Sequence, residues 1–288
     1  MSLVELIEVG RMENQSETLK YLGPLTAQTS IAAFCDFAER VWEMYRQLAT
    51  QHGPIAHGSR KYLVVRMMHI AEVTSNAIRL NATWALTPAA MSLLRDRYEQ
   101  TVRFSWLVRN PDQREYLKYE RAMFGKMNSI VSNLDPKTVE RFAASMGPLP
   151  VWLTEKLTRE QRAQLGAWYD LDLRSMAKRR DAFPPMTDTP LATEGLAHWY
   201  EAIYAQFSSV SHYDRFSIEM VKPQQNPDGS VYLSLEPHWP GLLIFQTALL
   251  DMIQCSEAVQ IGLRQEASIK FESLFAEWRT LSSQLQTD

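Results

Sequence analysis

Pairs of a helix-capping residue and a proline divide this chain into a series of amphipathic segments, and this punctuation constrains its fold most. Thr87-Pro88, Asn110-Pro111 and Asp135-Pro136 each place a capping side chain before a proline that suits the first helical turn. Between such pairs, apolar residues recur three and four positions apart, as on the buried face of a helix. We therefore predict a mainly α fold, a multi-helix bundle in which short connections make neighbouring helices antiparallel.

One region departs from the helical pattern. Phe216, Ile218 and Met220 alternate with polar residues, Val231, Leu233 and Leu235 do the same, and a turn signal at 226–229 separates the two runs. This alternation predicts a β-hairpin at about 215–236, inserted in one helical domain that spans residues 1–288. The predicted helices cover about 26–51, 61–81, 87–110, 112 onward, 136–147, 158–180, 193–212, and 240 to the C-terminus with a break near Gly262.

Composition restricts the class of protein. With 45% hydrophobic residues and eight tryptophans, 288 residues can bury a sizeable core. A net charge of -3 argues against a dedicated nucleic-acid surface. Only Cys35 and Cys255 occur, which favours free buried thiols in a reducing compartment. The first residues lack a signal-peptide pattern, and the best apolar run, Gly241 to Leu250, is too short to cross a bilayer. We therefore expect a cytoplasmic protein with no membrane partner.

Familiar catalytic signatures are absent from the sequence, including phosphate-binding glycine loops, nucleophile elbows and paired zinc-binding histidines. The sequence therefore leaves open whether the protein is an enzyme, and it predicts no cofactor. The basic run Lys178-Arg179-Arg180 lies at a predicted helix end, where cations favour the helix dipole. We interpret this run as that local effect rather than as a phosphate site.

Two predicted helices carry polar residues beside their apolar stripes. On the first, Arg95 and Glu99 lie four residues apart and Arg103 continues the same ridge. On the second, Tyr204, Ser208 and His212 follow at steps of four and form another ridge. Histidine titrates near neutral pH and hydroxyls both donate and accept, so this ridge suits an anion, a polar ligand or a proton relay. A satisfied core histidine with neighbouring hydroxyls fits the same spacing.

The same residues carry a resemblance to a family. The run Leu94 to Glu99 resembles the R-x-x-x-E helix of a large family of bacterial helical proteins of unknown function, and Ala71 to Asn81 is similar to its preceding helix. Trp199-Tyr200 with Tyr204, Ser208 and His212 matches the family's Y-x-x-x-S-x-x-x-H helix. The resemblance covers roughly Lys61 to Tyr213. Tyr213-Asp214 departs from the family's small residue and proline after the histidine.

The resemblance implies that five residues share one site, and it implies no activity: Arg95, Glu99, Tyr204, Ser208 and His212. The first functional hypothesis is therefore a small-molecule site between helices. In this hypothesis Arg95, Tyr204 and Ser208 bind a polar or anionic ligand, and His212 and Glu99 supply acid–base catalysis.

Three alternatives remain open. A helical ribonuclease of the toxin and defence type would need an arginine separated from His212 by four to six residues, and Gln206 and Phe207 stand where it would lie. A helical metal enzyme would combine His69 and Glu72 with Glu99 and His212. A non-catalytic scaffold, or a homodimer, would use an aromatic stripe on the last helix as its interface, with residues Phe271, Leu274, Phe275 and Trp278.

Overall fold

A computed structural model of the chain is mainly helical, as the sequence predicts. The structure describes residues 25–50, 54–56, 59–84, 86–110, 112, 114–146, 156–161, 172–183, 195–205, 207–208, 221–235, 239–261, 263 and 268–284. The chain divides into two compact units, one formed by Met1–Arg109 with Met176–Asp288 and the other by Asn110–Ser175. The single domain over 1–288 stays a prediction.

The larger unit is built around one apolar helix. Its α-helices are α1 (Leu25–Thr50), α2 (Arg60–Thr83), α3 (Thr87–Arg109), α6 (Leu173–Asp181), α7 (Leu196–Trp199), α8 (Trp239–Gln260) and α9 (Ser268–Gln284). Helix α6 belongs to this unit from Met176 onward, and its first three residues are assigned to the smaller unit. Helix α8 packs against α1, α2, α3 and α9, and α2 packs against α3. The core between them is apolar and aromatic, with Phe37, Val41, Met68, Leu94 and Leu249 fully buried or nearly so.

The prediction that the apolar run from Gly241 is too short to cross a bilayer is wrong, because the helix continues and Gly241–Gln260 meets the length and hydropathy expected of a membrane span. However, 89% of that window is buried inside the protein. A central helix covered on all sides by its neighbours has no need of a polar face. This burial accounts for the apolar composition of α8 without a bilayer.

Local capping sets the helix ends that the sequence predicts. The Ser59 hydroxyl accepts a hydrogen bond from the Tyr62 amide at the start of α2, within one residue of the predicted position. Helix α3 begins at Thr87 and ends at Arg109, directly before Asn110. There the Arg60 guanidinium donates to the carbonyls of Leu107 and Val108 at 2.5 and 2.6 Å, so it satisfies two of the free carbonyls of that helix end.

The predicted helix over 158–180 is interrupted. Asp172 is not helical, and its carboxylate accepts from the backbone amide and the hydroxyl of Ser175 at 2.8 and 3.0 Å. It therefore caps a new helix, α6, that begins at Leu173. At the other end of α6 the Asp181 carboxylate accepts from the amides of Leu196 and Ala197, which fixes the start of α7.

The smaller unit contains α4 (Arg114–Val131) and α5 (Pro136–Met146). The Asp135 carboxylate caps α5 by accepting from the Thr138 amide at 3.0 Å, as its sequence predicts. The side chain of Thr158 accepts from the backbone amide of Gln161, and the side chain of Gln161 accepts from that of Thr158. The two residues so form a capping box where the sequence predicts a helix to begin. Helix α4 exposes a short apolar face with Met123, Phe124, Met127 and Ile130.

Two short strands, β1 (Val221–Gln225) and β2 (Val231–Leu235), pair antiparallel with Val221 opposite Leu235. Gly229 closes the connection at φ 83°, a conformation that favours glycine. Residues 209–220 lie outside the described residues, so the predicted first run of the hairpin, Phe216 to Met220, does too.

Candidate functional site

Arg95 on α3 contacts two of the residues that the sequence placed with it. Its Nε donates to the Ser208 hydroxyl at 2.9 Å and its Nη2 donates to the Tyr204 hydroxyl at 3.2 Å. The guanidinium carbon also lies 4.9 Å from the centre of the Tyr204 ring, within the range of a cation–π contact. The structure therefore brings Arg95, Tyr204 and Ser208 into one half-buried cluster, the Arg95 cluster.

The backbone that carries Tyr204 is unusual. After one turn of α7 the chain forms a π-helix over Tyr200–Ala205, and helical backbone is again present at Phe207 and Ser208. Single π-helical turns inside α-helices are rare and occur often at functional sites. Tyr204 belongs to the π-helix, and the Ser208 hydroxyl donates to the Tyr204 carbonyl at 2.6 Å. The π-helical segment therefore positions both hydroxyls that contact Arg95.

Aromatic rings support the cluster from the protein side. The Tyr200 and Tyr204 rings stack with centres 5.2 Å apart, and buried Tyr98 lies 6.1 Å from Tyr204. The Tyr98 hydroxyl donates to the Leu196 carbonyl at 2.5 Å and so joins α3 to the start of α7. The position of Arg95 is therefore set by packing as well as by hydrogen bonds.

Of the other two predicted site residues, Glu99 is described by the structure and is not part of these contacts. Glu99 forms an ion pair with Arg103, four residues along the same helix, rather than with Arg95. The nearest carboxylate partner of Arg95 is exposed Asp96, with 3.4 Å between Nη1 and Oδ1. His212 lies outside the described residues. Its place beside the Arg95 cluster stays a prediction.

Of the residues of the metal hypothesis, the structure describes His69, Glu72 and Glu99, and among these three one contact is present. His69 and Glu72 lie on α2 with 3.6 Å between Nδ1 and Oε2, and His69 is exposed. In the part of the chain that the structure describes, no group of three or more histidine, cysteine, aspartate or glutamate residues lies close enough to hold a metal ion.

The most extensive polar cluster is one that the sequence analysis missed. Arg97, fully buried on α3, donates through Nη2 to the Asp251 carboxylate at 2.6 Å and to the Gln254 amide oxygen at 2.8 Å. Its remaining nitrogens donate to the hydroxyls of Ser75 and Thr101 at 2.9 and 2.7 Å. Arg97 thus joins α2, α3 and α8 in the centre of the larger unit.

A second buried ion pair joins α6 to α8, nearer the C-terminal ends of α3 and α8. Arg180 of α6 donates to the Glu257 carboxylate and to the Ser105 hydroxyl, both at 2.5 Å. The three α8 residues Asp251, Gln254 and Glu257 are spaced by three, and all are buried. Arg180 lies in the last turn of α6, at the helix end that the sequence predicts, and in addition its side chain is buried by tertiary contacts that the sequence did not reveal.

Burial shifts the titration of groups around these pairs. It raises the pKa of the Asp251 carboxyl, although the Arg97 charge and the hydrogen bonds from Arg97 and Ser75 oppose that shift. Burial also raises the pKa of the Tyr45 hydroxyl, which donates to Gln254 at 2.6 Å. The Cys255 thiol has its pKa raised well above its ordinary value by burial. These groups are enclosed, and they suit a structural role better than contact with a ligand.

The aromatic stripe on the last helix belongs to the core. Trp278 stacks on Phe245 with ring centres 5.4 Å apart and meets Trp199 edge-on at 6.0 Å. Leu274 and Phe275 are buried beside it. The alternative in which this stripe is an exposed interface is therefore wrong for Leu274, Phe275 and Trp278. The Phe271 side chain lies outside the described residues.

A separate cavity of about 430 Å³ lies at the start of α2, where Arg60 and Lys61 contribute to its wall. Arg95, Glu99, Tyr204 and Ser208, the predicted site residues that the structure describes, do not line it. Its described wall is formed by Pro54, Ile55, Ala56, Ser59, Arg60, Lys61 and Leu263. The cavity is therefore distinct from the Arg95 cluster.

Comparison of this chain with protein-family models, with curated proteins and with solved structures gives no match. The resemblance to the bacterial helical family therefore stays a prediction from the two motifs, and the functional argument rests on the site itself.

Proposed function

We propose that the Arg95 cluster is a binding site for a small anionic or polar ligand at the contact between α3 and the π-helical segment. The observation that carries this proposal is the guanidinium of Arg95, which two hydroxyls and an aromatic ring hold in place, and whose carboxylate partner among the described residues is exposed Asp96 at 3.4 Å. Arginine presents a planar set of donors that matches carboxylates and phosphates.

The donors of Arg95 are only partly used within the protein. A guanidinium has five N–H groups, and three nitrogens of Arg95 each make one hydrogen bond, to Ser208, Tyr204 and Asp96. The contact with Asp96 is long and reaches an exposed side chain. Solvent-exposed ion pairs contribute little free energy to stability. A bound anion can therefore replace Asp96 as the partner of Arg95 at a small cost in free energy.

Arg103 offers a matched control for the binding test. It lies on the same helix as Arg95, its side chain is 27% exposed against 28% for Arg95, and it is paired with Glu99. We expect small molecules that copurify with the wild-type chain, identified by mass spectrometry, to be absent from Arg95→Gln and present in Arg103→Gln. Loss of a charged hydrogen bond of about 1.5–3 kcal/mol corresponds to roughly tenfold or greater weakening of binding.

A titration that needs no copurified molecule complements this test. Inorganic phosphate and citrate should raise the melting temperature of the wild-type chain and of Arg103→Gln, and should leave that of Arg95→Gln unchanged. Equal retention by Arg95→Gln and the wild type, or equal loss in both variants, would contradict the proposal.

Acid–base catalysis by His212 and Glu99 is a separate part of the proposal. Histidine beside a bound anion can exchange a proton near neutral pH, and Glu99 could act only after leaving Arg103. If both residues are catalytic, His212→Ala and Glu99→Gln should retain the copurified molecule and stop its conversion. Loss of retention in His212→Ala would instead make the histidine a binding residue.

The proposal places this site in a single cytoplasmic helical domain, with β1 and β2 as a hairpin inserted after the site helix. It rests on the sequence patterns given above and on the pairing of the two strands. Limited proteolysis tests the single domain, since one resistant fragment spanning 110–175 and its flanks is expected if the chain folds as one unit.

A further inference from the structure

Helix α2 presents a second apolar face, which points away from the core. Its buried face includes Val64, Met68, Ala71, Ile78 and Ala82. On the other side four large apolar residues are 45–70% exposed, and partly exposed Ala77 lies in line with them. We call this surface the outer stripe of α2; it consists of Ile70, Val73, Ala77, Leu80 and Trp84.

The residues of the outer stripe follow one another at intervals of three and four. This is the average spacing of 3.5 residues that keeps one seam of a helix against a partner helix in a coiled coil. A surface helix of a soluble protein ordinarily has one apolar face and one polar face. A helix with two apolar faces is expected to be covered on both.

The polar residues beside the middle of the outer stripe are uncharged, and three of them already bond within the protein, while Arg66 lies exposed one turn before Ile70 at the N-terminal end of the stripe. Thr74, Asn81 and Thr83 each donate to the backbone carbonyl four residues earlier, at 2.8 to 3.0 Å. Burial is costly mainly for donors and acceptors that are left without a partner. Covering these border residues therefore costs little free energy. When two copies of the chain meet, their uncharged border residues face each other without electrostatic repulsion.

We propose that the outer stripe of α2 is the interface of a homodimer, in which the α2 helices of two copies pack antiparallel about a two-fold axis at Ala77. The small side chain lets the helices approach closely at the axis. On either side of it, Ile70 of each copy faces Trp84 of the other, and Val73 faces Leu80. Antiparallel packing also places opposite ends of the helix dipoles side by side.

The area of the outer stripe is consistent with a second copy as the occupant. Large apolar patches beyond about 300–600 Å² are rare on soluble monomers. Four large side chains that are each about half exposed, together with Leu86, present on the order of 500 Å² of apolar surface, so a symmetric pair buries on the order of 1,000 Å², near the lower limit for a specific interface. The stripe extends over about 20 Å of helix, which matches one helix–helix contact.

A membrane surface fits the outer stripe less well. Helices that lie on anionic membranes carry lysine and arginine along the border of their apolar face. The residues that border the stripe at positions 69, 74, 76, 81 and 83 are His, Thr, Asn, Asn and Thr. Arg66, exposed one turn before Ile70, is the cationic residue in line with the stripe. Within α2 the border therefore has a single cation at one end rather than a row of cations along its length.

Sedimentation analysis of three proteins tests this proposal. The wild-type chain is expected to sediment at twice the 33.2 kDa of one chain, and Leu80→Glu at the mass of a single chain. The matched control is Ile130→Glu, which places the same charge on the exposed apolar face of α4, where Ile130 is 65% exposed, and is expected to stay dimeric. Circular dichroism must show the same helical content in all three.

Cross-linking supplies a second measurement that does not depend on dissociation. Ala77→Cys should form covalent dimers with a short bismaleimide reagent, because the two copies of this residue meet at the axis. Asp96→Cys, exposed on α3, should stay at the background that half-buried Cys35 and buried Cys255 set in the wild type.

Each opposite result would overturn the proposal. A monomeric wild-type chain, a dimeric Leu80→Glu variant, or dissociation by Ile130→Glu alone would exclude the outer stripe as the interface. A monomeric wild-type chain that cosediments with phosphatidylcholine vesicles would assign the stripe to a membrane surface instead. The binding tests on Arg95 do not depend on these outcomes.

Discussion

The guanidinium of Arg97 and the carboxylate of Asp251 form an ion pair in the core, with 2.6 Å between Nη2 and Oδ1 and neither side chain more than 3% exposed. The pair connects α3 to α8 and is surrounded by hydroxyl and amide groups that complete its hydrogen bonding. Because two opposite charges must meet in one geometry there, the pair selects one register of α3 along α8. Apolar contacts alone tolerate small shifts between helices.

Removing one member of this pair should destabilise the protein strongly. Arg97→Met leaves the Asp251 charge buried without its partner, and we expect a loss of about 3–5 kcal/mol in the free energy of unfolding, measured with urea. Arg40→Ala, which breaks the exposed pair with Glu277, is the control, with an expected loss below about 1 kcal/mol.

The double variant Arg97→Met with Asp251→Leu separates the cost of an unpaired charge from that of lost packing. Since it leaves no buried charge at this position, it should be more stable than either single variant. Losses in Arg97→Met as small as those in Arg40→Ala would show that the pair is not enclosed in solution.

The pKa of the Asp135 carboxyl should lie below its ordinary value. The cause is hydrogen bonding, since Asp135 accepts from the hydroxyl and the backbone amide of Thr138 at the start of α5. A carboxyl whose pKa is lower in the folded state stabilises the fold above its unfolded pKa, and that contribution is lost as pH falls through the folded pKa. A carbon-detected NMR titration measures this directly.

Thr138→Val is the matched change for Asp135, because it removes the hydroxyl and keeps the shape and the backbone amide. It should move the pKa of Asp135 part of the way back toward its ordinary value. Asp172, which accepts from Ser175 in the same way, should be unaffected in that variant. An unchanged Asp135 titration in Thr138→Val would mean that the cap does not form in solution.

Sequence patterns predicted the local features of this fold and missed those that depend on tertiary contact. The caps at Asp135 and Thr158 involve residues three positions apart, so the sequence contains all the information needed for them. The cap at Ser59 has the same local character, although only the start of its helix was predicted. The interruption at Asp172 has the same local signal, an aspartate three residues before a serine, yet the surrounding apolar pattern favoured one continuous helix.

The clusters of Arg95 and Arg97 differ in how far local sequence patterns reveal them. Arg95 was found because it lies with Glu99 beside the apolar stripe of its own helix, and the resemblance to a helical family linked it to Tyr204 and Ser208. Arg97 was missed because a charged residue near a stripe is ordinarily placed on the surface. A signal was present in α8, where Asp251 interrupts an otherwise apolar run and Gln254 follows three residues later. Polar residues at that spacing inside a buried helix require partners on the neighbouring helices.

The two cysteines should differ in their reactivity toward thiol reagents. Burial raises the pKa of both thiols and, together with Asp251, raises that of Cys255 well above its ordinary value. Thiolate is the reacting form, and Cys255 is also enclosed in the core of α8 while Cys35 is partly exposed. In the native protein, 5,5′-dithiobis(2-nitrobenzoate) should therefore react slowly with Cys35 and not with Cys255, and with both after unfolding. Cys35→Ser is the control, since it should leave the native protein unreactive, and rapid reaction of that variant would show that the contacts of α8 with α1 and α2 open readily.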